Sequence, residues 1–227
     1  SVLQRRPDGI LFDYIRYPKG IGGASVATRV QDLWIYGDAA QTALYDRALN
    51  PAGRELIQRF IDRGYITDGD LADINSQYPD QGDFLWQGQQ VPAPASAPIA
   101  ERKPILLQSL WQLSVAHAIQ GVLDFLNVAI LAPQQQNIPS GAVFFPNANA
   151  TVGAGYDARL QPWDRFPKTI EWHPMTYALC NDSSCIVEEV RQVLSQANSP
   201  SLVKPVLAGT WGQPLPNRPS LEAQMAA

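Results

Sequence analysis

The chain has 227 residues, with 17 lysines and arginines against 21 aspartates and glutamates, which gives a formal net charge of −4. This length is sufficient for a single domain with a sizeable core. The sequence has no basic run and no interleaving of basic and aromatic residues, so it lacks the charge pattern of a nucleic-acid surface. We therefore expect no nucleic-acid partner, and a ligand that is neutral or small.

The first predicted element is a short strand, Ile10–Phe12, which follows an aspartate-glycine turn signal. Its apolar run has no helical spacing, which predicts a strand buried on both faces. Asp13 and Arg16 follow where this strand ends. With the period of two that strands have, Asp13 shares a face with Leu11, whereas Arg16 lies on the opposite face.

The range 20–102 is predicted to be a long insertion between core elements. Within it, Ala52–Ile61 has the apolar spacing of an amphipathic helix. A second short helix is predicted at Asp68–Asn75, capped by Thr67 or by Asp68 itself.

The range Ile105–Ala132 is the strongest helical pattern in the chain. Polar residues, among them Gln108, His117 and Asp124, interrupt its apolar residues, so we expect a core helix and no membrane span. Pro104 suits the first turn of this helix. His117 lies among apolar neighbours and is expected to be structural.

Three further strands and one helix complete the prediction. The strands are Gly141–Asn147, Thr169–Tyr177 and Val203–Gly212, and the helix is Cys185–Ala197. This alternation indicates a parallel sheet covered by helices. Each strand has its polar residues at the carboxyl end, which is typical of a (β/α) barrel or of an open α/β sheet. No glycine-rich nucleotide fingerprint is present, which favours the barrel.

The two cysteines, Cys180 and Cys185, are separated by four polar residues. They are able to form a disulfide in an oxidising compartment, and two free thiols are the alternative. The sequence begins with Ser1 and shows no signal peptide, so any targeting segment is expected to have been removed or to lie outside it. We expect a periplasmic or secreted protein, with a cytoplasmic location left open. Two cysteines and two distant histidines lack zinc-ligand spacing, so no metal and no cofactor are expected.

Asp13 is the leading candidate for a catalytic carboxylate. Its structural alternative is an aspartate held by backbone donors or by an arginine. The second carboxylate is assigned to Glu171, although its early place in the strand could put it beneath the pocket. Asp164, Asp157 and Asp8 are weaker candidates.

Aromatic and hydrogen-bonding residues near the strand ends are expected to bind the substrate. Flat aromatic surfaces beside carboxylates suit sugar rings, although each aromatic taken singly is more often a core residue. For His173, a structural hydrogen bond is as good an explanation as substrate binding. The predicted binding residues are Tyr14, Arg16, Tyr17, Asn147, Trp163, His173, Tyr177 and Trp211.

The segment Asp8–Pro18 resembles a strand motif of glycosyl-hydrolase-like family 10, a family found in bacteria including cyanobacteria. Later segments match the family in the same order, whereas the range 20–102 matches poorly. These segments are Phe144–Asn147, Gln161–Asp164, Trp172–Tyr177 and Gly209–Gly212.

The resemblance implies a TIM barrel, (β/α)8, in which Asp13 ends roughly the fourth strand and strands five to seven follow. The range 1–227 would then be the C-terminal half of the barrel, with about four strands and the insertion at 20–102. Such a half would pair with a missing N-terminal half or with another chain.

The expected function is that of a glycoside hydrolase acting on a polysaccharide or glycan through paired carboxylates. Asp13 would be the nucleophile or electrostatic carboxylate, and Glu171 the acid. Such carboxylates stand about 5 Å apart for retention and about 6.5 to 9.5 Å apart for inversion. One alternative is a non-catalytic glycan-binding or scaffolding barrel, and another is a partner-binding protein that uses the insertion as its interface.

Overall fold

The structure is a computed structural model that describes residues 2–20, 23–90, 93–177, 180–213 and 215–227. The chain divides into two compact units. Unit 1 comprises residues 1–18, 122–151 and 159–227, and unit 2 comprises residues 19–121 and 152–158. The predicted insertion at 20–102 falls within the range of unit 2.

The strands are all short, whereas the helices differ greatly in length. The strands are β1 (Ile10–Phe12), β2 (Val26–Ala27), β3 (Ser140–Phe144), β4 (Thr151–Val152), β5 (Gly155–Asp157) and β6 (Glu171–Pro174). The helices are α1 (Asp38–Tyr45), α2 (Pro51–Arg63), α3 (Asp68–Gln77), α4 (Ile99–Gln135), α5 (Ser184–Leu194) and α6 (Leu221–Met225).

Unit 1 is built on a parallel sheet with the strand order β1-β3-β6. Leu11 is level with Gly141, and Gly141 is level with Glu171. Because all three strands run in the same direction, their carboxyl ends lie at one edge of the sheet. The residues that follow Phe12, Phe144 and Pro174 therefore lie at this edge.

The predicted (β/α)8 barrel, and the four-strand half of it, are wrong. Among the described residues there are two small three-stranded sheets and a 37-residue helix. The predicted fourth strand, Val203–Gly212, is reduced to isolated parallel bridges at Val203 and Val206. Pro205 lies between these bridges and has no amide N–H, so it cannot complete a hydrogen-bonded ladder.

Aromatic residues dominate the core of unit 1. The ring of Phe144 stacks on Trp163 with a centroid distance of 5.0 Å and meets the edge of Trp172 at 6.1 Å. All three side chains are almost completely buried. Helix α4 contributes Val122, Leu126 and Ile130 to the same cluster. These contacts cover one face of β3 and β6. The opposite face of these strands is more polar.

Unit 2 contains helices whose ends follow from the sequence. The last residue of helix α2 is Arg63. Gly64 follows it and caps the helix, and its φ of +82° suits a residue without Cβ. Helix α3 begins after Thr67, whose hydroxyl accepts from the amide of Asp70. Burial raises the pKa of Asp70, but hydrogen bonds from Arg63, Thr67 and Arg59 outweigh this effect and leave the pKa well below its ordinary value.

Helix α4 begins six residues earlier than predicted. The amides of Glu101 and Arg102 donate to the carbonyl of Pro98, which places the start at Ile99. Pro104 therefore lies inside the helix, so its predicted place in the first turn is wrong.

The length and composition of helix α4 alone would allow it to cross a membrane. Its most apolar window has a mean hydropathy of 1.6, and 33% of that window is buried within the protein. Core helices of soluble proteins satisfy the same criterion. The expectation of no membrane span therefore stays a prediction.

Candidate functional site

A pocket of about 140 Å³ lies at the carboxyl ends of β3 and β6 in unit 1. Three of the lining residues follow β3, one lies shortly before Trp163 in the chain, two follow β6, and one belongs to α5. They are Phe145, Pro146, Asn147, Arg159, Met175, Tyr177 and Glu189. The position agrees with the general rule that parallel sheets carry their sites outside the carboxyl ends of the strands.

Gln161 joins the ends of β1 and β3. Its side chain is fully buried, and its amide donates to the carbonyls of Ile15 at 2.9 Å and Val143 at 3.2 Å. Its side-chain oxygen accepts from the amide of Phe145 at 3.0 Å. One side chain thus satisfies three buried backbone groups, which would otherwise be costly. Gln161 therefore holds the two chain segments that carry the site.

Asp13 and Tyr14 form a tight turn directly after β1. The carboxylate of Asp13 is exposed and accepts from the amide of Tyr14 at 2.6 Å. Tyr14 has a φ of +57°, a left-handed conformation that is uncommon for residues other than glycine. Such strain is concentrated at functional sites. The turn leaves the ring of Tyr14 73% exposed beside Asp13.

Two arginines stack on Phe145. The guanidinium of Arg159 lies 4.5 Å from the ring centroid, and that of Arg16 lies 5.4 Å from it. Arg16 also lies 4.7 Å from the ring of Tyr14, and so links the β1 turn to the β3 end. Nη2 of Arg159 donates to the side-chain oxygen of Asn147 at 2.9 Å. Stacking of this kind holds a guanidinium in a fixed orientation on the aromatic ring.

Glu189 supplies a buried carboxyl group to the pocket. Its Oε2 atom is inaccessible to solvent and has no hydrogen-bond partner. Burial raises the pKa of Glu189, because the charged form loses its hydration. The side chain therefore holds its proton to a higher pH than an exposed glutamic acid does.

The sequence prediction missed Glu189, although a signal was present. Glu189 is three residues after Ile186 and four before Val193, and both of these are buried residues of α5. This i, i+3, i+7 spacing places the glutamate next to the inward face of the helix.

Tyr177 connects Asp13 to the pocket. Burial raises the pKa of Tyr177, and the negative charge of Asp13 raises it further, whereas Arg218 lowers it. The ring of Tyr177 meets the edge of Phe145 at 6.2 Å, and Arg218 lies 5.9 Å from the Tyr177 centroid. Asp13, Tyr177 and Glu189 therefore belong to one neighbourhood.

Glu171 and His173 lie away from the pocket. Glu171 is two strands from β1 and level with Leu11, so standard spacings put its Cα roughly 12 Å from that of Asp13. Its carboxylate contacts Nε2 of His173 at 3.0 Å. The ring of His173 packs on Gly141, where a Cβ would come within 2.7 Å of Nε2. This pair is a local contact on the polar face of the sheet.

Three of the predicted aromatic binding residues have other surroundings. Trp163 is a core residue, and its indole N–H donates to the carbonyl of Pro146 at 2.9 Å. Tyr17 packs against the hydrophobic core, and burial raises its pKa. Trp211 is 65% exposed in the turn between Thr210 and Gln213. Of the predicted binding set, Asn147 and Tyr177 line the pocket, while Tyr14 and Arg16 adjoin it.

A disulfide joins Cys180 to Cys185 at the start of α5. The sequence left a bridge and two free thiols as alternatives, and the structure has the bridge. Disulfides persist in oxidising compartments, so this bond points to an extracytoplasmic environment. Cys185 also lies one helical turn before Glu189.

Within the described parts of the chain, no group of three or more histidine, cysteine, aspartate or glutamate residues could hold a metal ion. Comparisons with protein-family models, with curated proteins and with solved structures found no match for this chain. The candidate site therefore stands on its own geometry.

Proposed function

We propose that unit 1 is a glycoside hydrolase module and that the pocket at the carboxyl ends of β3 and β6 binds the scissile glycan. Glu189 is the general acid, and Asp13 is the nucleophile or the electrostatic carboxylate. The observation that carries the proposal is a half-buried glutamate with a raised pKa on the lining of the pocket, together with an exposed aspartate whose charge raises the pKa of Tyr177 on the same lining. Both adjoin an aromatic and arginine surface.

The two carboxyl groups suit the two roles that glycosidic cleavage requires. A general acid must hold its proton near neutral pH, and the burial of Glu189 raises its pKa in that direction. The second group must carry charge to stabilise a transition state that resembles an oxocarbenium ion. Asp13 is exposed, and is therefore well placed for the charged role. This proposal replaces Glu171 with Glu189 and does not depend on a barrel.

The surroundings of the pair support binding of a sugar. Tyr14 presents an exposed ring next to Asp13, and Tyr177 and Phe145 supply further aromatic edges. Asn147 and Arg159 provide hydrogen-bonding groups on the lining of the pocket. Flat apolar rings combined with convergent polar groups suit carbohydrate rings and their hydroxyls. A periplasmic or secreted location, where glycans are accessible, completes the proposal.

The test is a hydrolysis assay on a panel of glycans with purified wild-type protein and two variants, Asp13→Asn and Glu189→Gln. Loss of an acid or base group typically costs about 10²- to 10⁴-fold in rate. Glu188→Gln is the matched control, because Glu188 is the exposed neighbour of Glu189 on the same helix. We expect both site variants to lose activity and the control to keep it. Wild-type activity in both site variants would contradict the proposed mechanism.

A non-catalytic glycan-binding role is the second candidate. The observation that favours it is the size of the pocket, about 140 Å³, which is below the roughly 300 to 1,000 Å³ of most small-molecule sites. Binding of an oligosaccharide by wild type and by Glu189→Gln with equal affinity, without turnover by either, would support this role over hydrolysis.

A further inference from the structure

We propose that the pocket selects glycans that bear a carboxylate group, such as those built from uronic acids, and that Arg16 is the residue that recognises this group. The inference rests on the proposed function, since it names the class of substrate for the same site. It differs from the expectation of a neutral or small ligand that was based on the net charge of the chain.

The charge near the pocket is opposite in sign to that of the whole chain. Three arginines surround its aromatic residues, namely Arg16 and Arg159 at Phe145 and Arg218 at Tyr177. The whole chain, in contrast, has a formal net charge of −4. A local excess of positive charge in an acidic protein attracts and orients an anionic ligand.

Within the described residues, neither Asp13 nor Glu189 forms a salt bridge with Arg16. Burial raises the pKa of Glu189, and its Oε2 atom is inaccessible to solvent. Asp13 is exposed, and its described hydrogen bond is to the amide of Tyr14, not to an arginine.

The guanidinium of Arg16 has one side without a partner. Its Nη1 donates to the carbonyl of Tyr17 at a long 3.4 Å, whereas its buried Nε has no hydrogen-bond partner. A buried donor of this kind is costly unless a ligand satisfies it. Nε has no solvent-accessible surface, so a carboxylate reaches the planar fork of Nε and Nη2 only when the groups that cover Nε move aside, and the fork then binds it through two parallel hydrogen bonds.

The aromatic contacts of Arg16 hold this fork in place. The guanidinium is 4.7 Å from the Tyr14 ring centroid and 5.4 Å from that of Phe145. Tyr14 itself is fixed by its left-handed backbone and by Asp13. A carboxylate bound to Arg16 would therefore lie beside both Asp13 and the pocket. Lysine at this position would keep the charge but would lose the fork.

The experiment compares matched acidic and neutral sugars. Oligogalacturonate and oligoglucuronate are each paired with their own methyl esters, which keep the sugar rings but remove the charge. Binding is measured by calorimetry and hydrolysis by product analysis, with wild type, Arg16→Gln and Arg16→Lys. Arg165→Gln is the control, because it removes the same charge from an exposed arginine of the same unit. Circular dichroism establishes that each variant is folded.

We expect wild type and Arg165→Gln to bind at least one of the two acids about tenfold or more tightly than its ester. Arg16→Gln should bind acid and ester to within a few-fold, and Arg16→Lys should recover only part of the preference. Equal binding of acid and ester by wild type, or absence of binding to every sugar tested, would overturn the inference.

Two further outcomes separate the inference from the proposed function. Preferential binding of the acid without any hydrolysis would leave the inference standing and count against the hydrolase. Hydrolysis of acid and ester at equal rates with equal affinities would support the hydrolase and overturn the inference. A sulfated galactan oligosaccharide that binds more tightly than both uronates would overturn the assignment of a carboxylate as the recognised group.

Discussion

The side-chain amide of Gln161 donates to the carbonyl of Ile15 at 2.9 Å, across 146 positions of the sequence. This bond, with the bonds to Val143 and Phe145, joins the two segments that carry Asp13 and the pocket lining. The position of the candidate site in unit 1 therefore depends on one buried amide.

Replacement of Gln161 by leucine should destabilise unit 1 and disrupt the site. The substitution has nearly the same size but leaves three buried backbone groups without their partner, at a cost of about 3 kcal/mol in the free energy of unfolding. Urea denaturation measures the loss. Gln196→Leu, at an exposed position of the same unit, is the control and should change stability by about 0.5 kcal/mol or less. A Gln161→Leu variant as stable as wild type would contradict this role.

Glu189 should make the stability of the protein depend on pH. Because burial raises its folded-state pKa above the unfolded value, the folded protein binds the proton more tightly. The stabilisation is complete below the unfolded pKa and is lost as pH rises through the higher folded pKa. Urea denaturation between about pH 4 and pH 8 should therefore give a steeper loss of stability for wild type than for Glu189→Gln. Identical slopes for the two proteins would show that Glu189 is not the cause.

Glu171→Gln should leave catalysis almost unchanged. Glu171 contacts His173 and lies outside the pocket, and its side chain is 42% exposed. Exposed ion pairs contribute about 0 to 1 kcal/mol, so stability should also change little. Steady-state kinetics on the best glycan of the panel measures the effect. A loss as large as that of Glu189→Gln would return Glu171 to the catalytic role that the sequence assigned to it.

Removal of the disulfide should loosen the start of α5. The closed loop is short, with a sequence separation of 5, so the chain-entropy model gives a stabilisation of only about 2 kcal/mol. Cys185 is one turn before Glu189, so the effect should reach the pocket. We expect faster amide exchange across residues 184–190 and a lower hydrolysis rate in the Cys180→Ser/Cys185→Ser double variant. Reductant added to wild type should reproduce both changes. Unchanged exchange in this segment would contradict the account.

Local elements of the fold were predictable because their signals are local. The apolar run of Ile10–Phe12 gave a strand, and the threonine at position 67 gave the start of helix α3. The prediction that this strand is buried on both faces was wrong, because Leu11 is 50% exposed. The barrel was wrong for a non-local reason, since closure depends on strand pairing that no short pattern encodes. Pro205 was a visible warning, because a proline inside the predicted fourth strand removes a ladder donor.

The candidate site was predicted in part for the same reason. Asp13, Tyr14 and Arg16 follow a recognisable strand, so their grouping was accessible from the sequence. Gln161 acts through contacts between distant segments, which no local pattern in the sequence gave. The spacing of Glu189 with Ile186 and Val193 was a local signal for its place on α5, but it did not show the pocket. Trp163 was assigned to the substrate, whereas its buried ring packs on Phe144 in the core. A tryptophan near a strand end has the same local signal in both roles.

The most direct test of the account is the pH dependence of kcat/KM for wild type, Glu189→Gln and Glu188→Gln on a glycan that the wild type cleaves. Since burial raises the pKa of Glu189, the acid should hold its proton to a higher pH than an exposed glutamic acid, and the wild-type rate should fall as pH rises past that pKa. Glu188→Gln should keep this profile. Glu189→Gln should be slower by about 10²-fold or more and should lack the alkaline fall. A Glu189→Gln variant with the wild-type rate and the wild-type profile would contradict the assignment of Glu189 as the general acid.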